Sequence, residues 1–370
     1  MKTSRGGWIG WAVGVAMLAV TANADITNVA PSATLTLGAG SGPVCPAGTF
    51  GVGGCAVVDG INYGAEHAAA RLKDGDTGTG GIVDGGFYKI DARATLNYDP
   101  IYLYFTYGTA QTISGYGKYL SDRADKAPMW GSLEYSTDSG TTWKLAAADR
   151  YVAHDSSYNT DGSGTKFPAI TATHWRFRSM LVNASGLDSR SRLAWREFYL
   201  WNYTGADASS VPATKQVNAS MYITSVDVSS DGVAADYNKY YETVRGYEYD
   251  SYVNRSGAGV PVTFTYIFDE ARAISGFGSN NGNNGTGAIT LEYSTDGVNY
   301  TTVSGLPGGN LKDFNMDGTD QNWTFAPITA KYWKYTNSNA DNNLYQRQVY
   351  FFTTVNPAPP PPPGAVILVR

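Results

Sequence analysis

The sequence predicts an all-β protein made of two tandem β-sandwich domains. Three observations lead there. The first is an internal duplication. Leu133-Glu134-Tyr135-Ser136-Thr137-Asp138 returns as Leu291-Glu292-Tyr293-Ser294-Thr295-Asp296, 158 positions on. At the same offset of 158, Phe167-Pro168-Ala169-Ile170-Thr171-Ala172, closed by Trp175, returns as Phe325-Ala326-Pro327-Ile328-Thr329-Ala330, closed by Trp333. A third pair, Ile113-Ser114-Gly115-Tyr116-Gly117 and Ile274-Ser275-Gly276-Phe277-Gly278, lies 161 apart. Solenoid and propeller periods run about 20–50 residues, so this offset is the length of a whole domain. The second observation is composition: 43 Gly and 27 Tyr in 370 residues, with only 16% charged, describe a turn-rich β chain. The third is periodicity: apolar alternation recurs, and no window carries a long 3.6-residue apolar period.

In chain order, the first element is a leader. Lys2 and Arg5 form a positive region, Trp8 to Val20 an apolar one, and Ala22-Asn23-Ala24 an A-x-A cleavage site, which puts the mature start at Asp25. The apolar run is shorter than the roughly 20 residues of a membrane span. The expected location is therefore secreted, at the cell surface or extracellular, or periplasmic, with no transmembrane segment. Losing Lys2 and Arg5 takes the formal charge from −5 to −7. An acidic chain without Lys/Arg clusters excludes nucleic acid and anionic membrane surfaces as partners. Cys45 and Cys55, the two cysteines of the chain, are expected to form one disulfide closing a Gly/Pro loop in an exported protein.

Strands follow. Ile101, Leu103, Phe105 and Tyr107 alternate with Tyr102, Tyr104 and Thr106. Val262, Phe264, Tyr266 and Phe268 alternate with Thr263, Thr265 and Ile267. These are one strand in two copies, with the apolar face inward. Asp138-Ser139-Gly140 and Asp296-Gly297 are hairpin turns, in which Asp bonds back to its own backbone and Gly accepts positive φ. The returning strand carries Trp143 in one copy and Tyr300 in the other. The closing strands are Glu197-Phe198-Tyr199-Leu200 and Gln348-Val349-Tyr350-Phe351. Trp175 and Trp333 hold one repeat position and are expected in the core, as are His174 and its counterpart Tyr332. Copy one spans 25–205, a polar linker 206–215, copy two 216–355, and a proline-rich tail 356–370. The tail reads as a stiff spacer and a possible protein contact.

Leu133 to Trp143, Leu-Glu-Tyr-Ser-Thr-Asp-Ser-Gly-Thr-Thr-Trp, resembles the central hairpin of F5/8 type C (discoidin-like) domains, a jelly-roll sandwich of the galactose-binding-like group. Trp175-Arg176-Phe177 is similar to that family's aromatic-Arg-aromatic strand, and Glu197-Phe198-Tyr199 to its closing strand. Leu72-Lys73-Asp74-Gly75-Asp76 resembles its early Asp-Gly-Asp loop, which a Thr follows, here Thr77 or Thr79. Copy two keeps the hairpin and Trp333-Lys334-Tyr335 but lacks the loop. The resemblance implies two tandem jelly-roll β-sandwiches that bind rather than catalyse. Ser136 to Trp143 also fits the Asp-box hairpin of sialidase-type propellers, but a propeller needs several blades of about 40 residues and the box occurs once in full.

The resemblance also implies a structural Ca²⁺ in copy one. Hard cations take six to eight oxygens from carboxylates and carbonyls. Asp74 and Asp76, Thr79 and the closing-strand Glu197 would supply them. Gln348 stands at the last position in copy two, so that site is expected to be weak or absent. Ligand contacts are expected from loops at one end of copy one. One loop offers Tyr119, Asp122, Arg123 and Trp130, and the next Tyr151 and His154. Aromatic faces with a few polar groups suit sugar rings. The matching copy-two loop, Ser279 to Gly285, has no aromatic. Three His residues and no G-x-S-x-G or H-E-x-x-H motif leave no local support for an enzyme. The expected function is an exported, non-catalytic glycan-binding protein, and the alternative a surface or matrix protein using its sandwiches as spacers or protein-contact modules.

Overall fold

The structure is a computed structural model that describes residues 26–39, 73, 101–120, 130–150, 164–180, 195–229, 251–254, 260–281, 288–306, 323–338 and 343–356. Alternating apolar residues put these segments into strands. The first set is β1 (Ile26–Asn28), β2 (Thr34–Ala39), β3 (Ile101–Leu120), β4 (Trp130–Ser136), β5 (Lys144–Arg150), β6 (Thr165–Met180) and β7 (Trp195–Tyr203). They form one antiparallel sheet in the order β1-β7-β3-β6-β4-β5, with β2 also on β3. The second set is β8 (Lys215–Asn218), β9 (Ile223–Ser229), β10 (Ser251–Asn254), β11 (Val262–Asn281), β12 (Ala288–Ser294), β13 (Thr301–Thr302), β14 (Trp323–Ser338) and β15 (Asn343–Val355). Its order is β10-β15-β11-β14-β12-β13, with β8 on β15 and β9 on β11. The order repeats between the copies, and among the described residues β10 has no counterpart in copy one.

Each sheet closes over its own core because its longest strand changes partners. β3 bonds β2 and β6 over its first part, then β7 from Gly115 onward. That change brings Phe198 of β7 over Phe105 and Phe177, at ring separations of 6.2 and 5.0 Å. In copy two Phe351 of β15 meets Tyr266 and Trp333, at 5.3 and 5.7 Å. The register breaks in β3, at Thr106/Gln111 and Ile113/Gly115, recur in β11 at Ile267/Arg272 and Ile274/Gly276. The duplication is therefore kept down to its β-bulges.

Trp175 and Trp333 are both fully buried, as the repeat predicts. Trp175 donates its indole N–H to the Ala172 carbonyl at 3.2 Å, while the Trp333 indole N–H has no acceptor among the described residues. His174 and Tyr332 differ from the expectation. Both are half-buried and pack against the hairpin turns, over Gly140 and Gly297, whose φ values are +87° and +77°. On β6 and β14 they are the residues next to the core tryptophans, and a strand turns consecutive side chains to opposite faces. The turns themselves follow one plan. Ser136 accepts the Gly140 N–H, and Asp138 accepts from the Thr142 backbone and hydroxyl. Ser294 accepts the Gly297 N–H, and Asp296 accepts from Val298 and Asn299. These bonds hold both Asp carboxyls well below the usual carboxylate range.

The segment between the sheets is a 3₁₀ stretch, Gly205–Ser210. The two cores meet beyond it. Val217 and Val355 bury with the first core, and Leu145 and Ala148 of β5 pack against both.

Candidate functional site

The outward positions of copy one carry the chemistry. On β3 and β6, Tyr102, Tyr104, Arg176 and Arg178 alternate with the buried Leu103, Phe105, Trp175 and Phe177. On β4, Glu134 faces the same way, directly opposite Arg176 in the ladder. Copy two meets this face with the 3₁₀ turn Ser220–Tyr222 and with Asp269 to Arg272, the bulged stretch of β11.

Glu134 is the centre. It is 1% exposed, and a carboxylate removed from water must be paired and hydrogen-bonded. Arg176 Nε donates to one oxygen at 2.5 Å. The other oxygen accepts from Ser132 Oγ at 3.3 Å and from the Tyr222 phenol of copy two. The Arg176 guanidinium is stacked between aromatics, 4.3 Å from the Tyr102 ring centre and 4.2 Å from that of Trp143. Arg178 lies 4.7 Å over the Tyr222 ring, donates to the Met221 carbonyl at 3.0 Å and bonds the Tyr102 hydroxyl. Arg272 lies 3.5 Å over the same Tyr222 ring and grips Asp269 with two bonds of 2.9 Å, while its other contact is Glu270 at 3.1 Å.

Electrostatics follow from this packing. Burial, then the Glu134 charge, push the Tyr222 phenol well above its ordinary value, so it stays a donor at neutral pH. Burial also raises the Tyr102 phenol. For Arg176 burial works against the charge, but Glu134 and the phenols around it outweigh that and raise the value. Arg272 behaves likewise through Asp269.

Beside this knot is a cleft of about 330 Å³, bounded by Tyr102, Trp143, Arg176, Tyr222 and Glu270 and by Thr141 and Thr142 of the hairpin. A second depression of about 420 Å³ shares Trp143, Tyr222, Glu270 and Arg272 with it, and extends to Tyr135, Lys144 and Thr354. At the mouth, the Glu270 side chain is 66% exposed and that of Asp269 38%.

Of the residues expected to bind ligand, two fall on described strands. Tyr119 and Trp130 were expected in one loop, but Tyr119 is on β3 opposite Glu197, and Trp130 opens β4 opposite Arg150 and Met180. For Trp130 the physical reason is the pairing of β4 with β5 and β6 from its first residue, and for Tyr119 it is the partner change of β3, whose pairing with β7 continues through Leu120. Ser279 to Asn281 of copy two are strand for the same reason, pairing with β15. Asp122, Arg123, Tyr151 and His154 lie outside the described residues, as do Asp74, Asp76, Thr79, Cys45 and Cys55. Glu197 is on β7, where the closing strand was expected. Lys73 donates to the Pro31 and Ala33 carbonyls. Tyr102, Trp143, Arg178, Tyr222 and Arg272 were not expected at a site.

No protein-family model matches this chain, and no curated protein matches it. Among solved structures, chitosan-binding module 1 of a chitosanase/glucanase from Paenibacillus sp. IK-5 aligns at 18% identity over 48% of this chain and 99% of its own, with a TM-score of 0.30. The tandem CBM32-1 and CBM32-2 domains of Clostridium perfringens ZmpB, in complex with GalNAc, align at 9% identity over 89% of this chain and 97% of their own, with a TM-score of 0.30. The family 32 carbohydrate-binding module of C. perfringens NanJ, in complex with galactose, aligns at 15% identity over 38% of this chain and 99% of its own, with a TM-score of 0.29. At these TM-scores the likenesses carry no argument, and the fold rests on the strand order and register of this chain.

Proposed function

We propose that this is an exported glycan-binding protein that does not catalyse, with its tandem sandwiches presenting one cleft at their junction. The observation that supports it is the convergence of an indole, a phenol ring, guanidiniums, an exposed carboxylate and two threonine hydroxyls around a single space of about 330 Å³. Aromatic walls with a few convergent polar groups are what small-ligand sites use. Binding is favoured over hydrolysis by how the acids are held. Glycoside cleavage needs two carboxyls that can reach the bond, whereas Glu134 is sealed by Arg176, Ser132 and Tyr222, and Asp269 is gripped by Arg272. Export at Asp25, and a Ca²⁺ held by Asp74, Asp76, Thr79 and Glu197, belong to the same proposal.

The mature chain, 25–370, applied to a glycan array is expected to retain a defined subset of glycans, and Trp143→Ala is expected to weaken that retention at least tenfold. Silence across the array overturns the reading in favour of the second one, a rigid surface spacer. The observation that favours that alternative is the Tyr222 side chain buried against copy one, which fixes the two units together.

A further inference from the structure

We infer that the junction cleft takes an uncharged, hydroxyl-rich sugar that bridges the two copies, so that the binding unit is the tandem and not the single module. This rests on the glycan-binding reading and names the ligand class and the missing half of the site.

The first argument is charge. Three guanidiniums, Arg176, Arg178 and Arg272, and three carboxylates, Glu134, Asp269 and Glu270, border the cleft. Their formal charges cancel. A charged ligand entering such a place loses its hydration and meets no net opposite charge to offset that loss. A sugar hydroxyl both donates and accepts, and here it finds carboxylate and hydroxyl acceptors beside guanidinium and hydroxyl donors within one small space.

The second argument is origin. Tyr102, Thr142, Trp143 and Arg176 come from copy one, and Tyr222, Asp269, Glu270 and Arg272 from copy two. Both sets line the one cleft. Glu270 is the group best placed to reach a ligand, because two thirds of its side chain is exposed. Trp143 supplies the wall that Arg176 already stacks on. Tyr222 acts through Glu134 as a positioning residue, holding the Arg176 guanidinium against the indole.

The duplication offers an internal control for this reading. The copy-two positions equivalent to Tyr102, Trp143, Arg176 and Arg178 are Thr263, Tyr300, Lys334 and Thr336. There Lys334 Nζ lies 3.5 Å over the Tyr300 ring, and the Thr263 and Thr336 hydroxyls bond each other at 2.8 Å. That face therefore carries a Lys–Tyr contact and a pair of bonded threonines where copy one carries the Tyr102, Trp143 and Arg176 wall of the cleft.

The test uses the full mature chain, isothermal titration, and three oligosaccharide sets: neutral, amine-bearing and uronate-bearing. The expected result is binding by a neutral set that changes less than twofold between about 50 and 500 mM salt, since screening acts on charged ligands. Glu270→Ala is expected to weaken it about tenfold with the melting temperature unchanged, because the side chain is mostly in water. Binding carried by the uronate or amine set and falling steeply with salt overturns the ligand class. Neutral binding that is the same in Glu270→Ala and in Trp143→Ala overturns the cleft while leaving glycan binding intact. If no set binds the parent chain, both readings fall.

Discussion

Copy one and copy two share a strand order, the bulges of β3 and β11 against β6 and β14, and a buried indole, yet their outer faces diverge. Along the matched pairs β3/β6 and β11/β14, Tyr102 becomes Thr263, Tyr104 becomes Thr265, Arg176 becomes Lys334 and Arg178 becomes Thr336. At the rim the divergence runs the other way. Ser32 in the first 3₁₀ turn stands where copy two has Tyr222, the two turns being aligned by the Asn28 and Asn218 side chains that accept the next turn N–H. Gly108, Thr109 and Gln111 stand where copy two has Asp269, Glu270 and Arg272. At these described positions each copy carries its large polar residues on the surface that meets the other. The difference teaches that the two copies share a core and differ where they meet.

The comparison can be broken at three depths. The core should show no difference between copies. Trp175→Ala and Trp333→Ala each remove a fully buried indole, and each should lower the unfolding free energy of its own copy by about 3–5 kcal/mol in denaturant titrations followed by circular dichroism. A loss confined to one of them would mean that the cores have diverged too. The junction should show a large difference. Glu134→Ala strands the Arg176 charge and the Tyr222 phenol, at a cost of about 3 kcal/mol. Glu292→Ala, half-buried and opposite Lys334, should cost less than about 1 kcal/mol. Equal costs would remove the special role given to the junction. The hairpins should again agree. Asp138 and Asp296 have folded values depressed by hydrogen bonds. Their contribution is therefore fully present above the unfolded value of about 3.9 and fades as pH falls through the lower folded value. Carboxyl carbon shifts from both residues should still report ionised groups at about pH 3, and a midpoint near 4 in either copy would show that its turn is not formed as described.

The sequence carried the fold because the fold is local pattern repeated. The alternation of Leu103, Phe105 and Tyr107, the Asp-Ser-Gly turn and the recurrence of Trp175 as Trp333 each act within a few residues or one offset, and each reappears as strand, turn and core. The junction depends on contacts no local pattern holds. Glu134 and Tyr222 are 88 residues apart, and Arg272 owes its position to a bulge. Reading the chain for loops directed attention to Tyr119, which belongs to a strand because β3 outlasts the first sheet pairing, and to Trp130, which already pairs with β5 and β6. One signal was available. Tyr102 and Tyr104 are aromatics at the outward phase of a strand whose copy-two equivalents, Thr263 and Thr265, are small and polar. Large rings at solvent positions in one repeat alone point to a partner surface.

The docking of the two units also bears on self-assembly. A face meeting a rim is a contact between unlike patches on like bodies, and such contacts run on into fibres unless something ends them. Among the described residues, the outer face of copy two offers Thr263, Thr336 and Lys334 where copy one receives Tyr222, and the rim of copy one offers Ser32, Gly108 and Gln111 where copy two offers Tyr222, Asp269 and Arg272. The two free surfaces do not repeat the chemistry of the junction, and placing its side chains on both of them would be the way to set such a series growing.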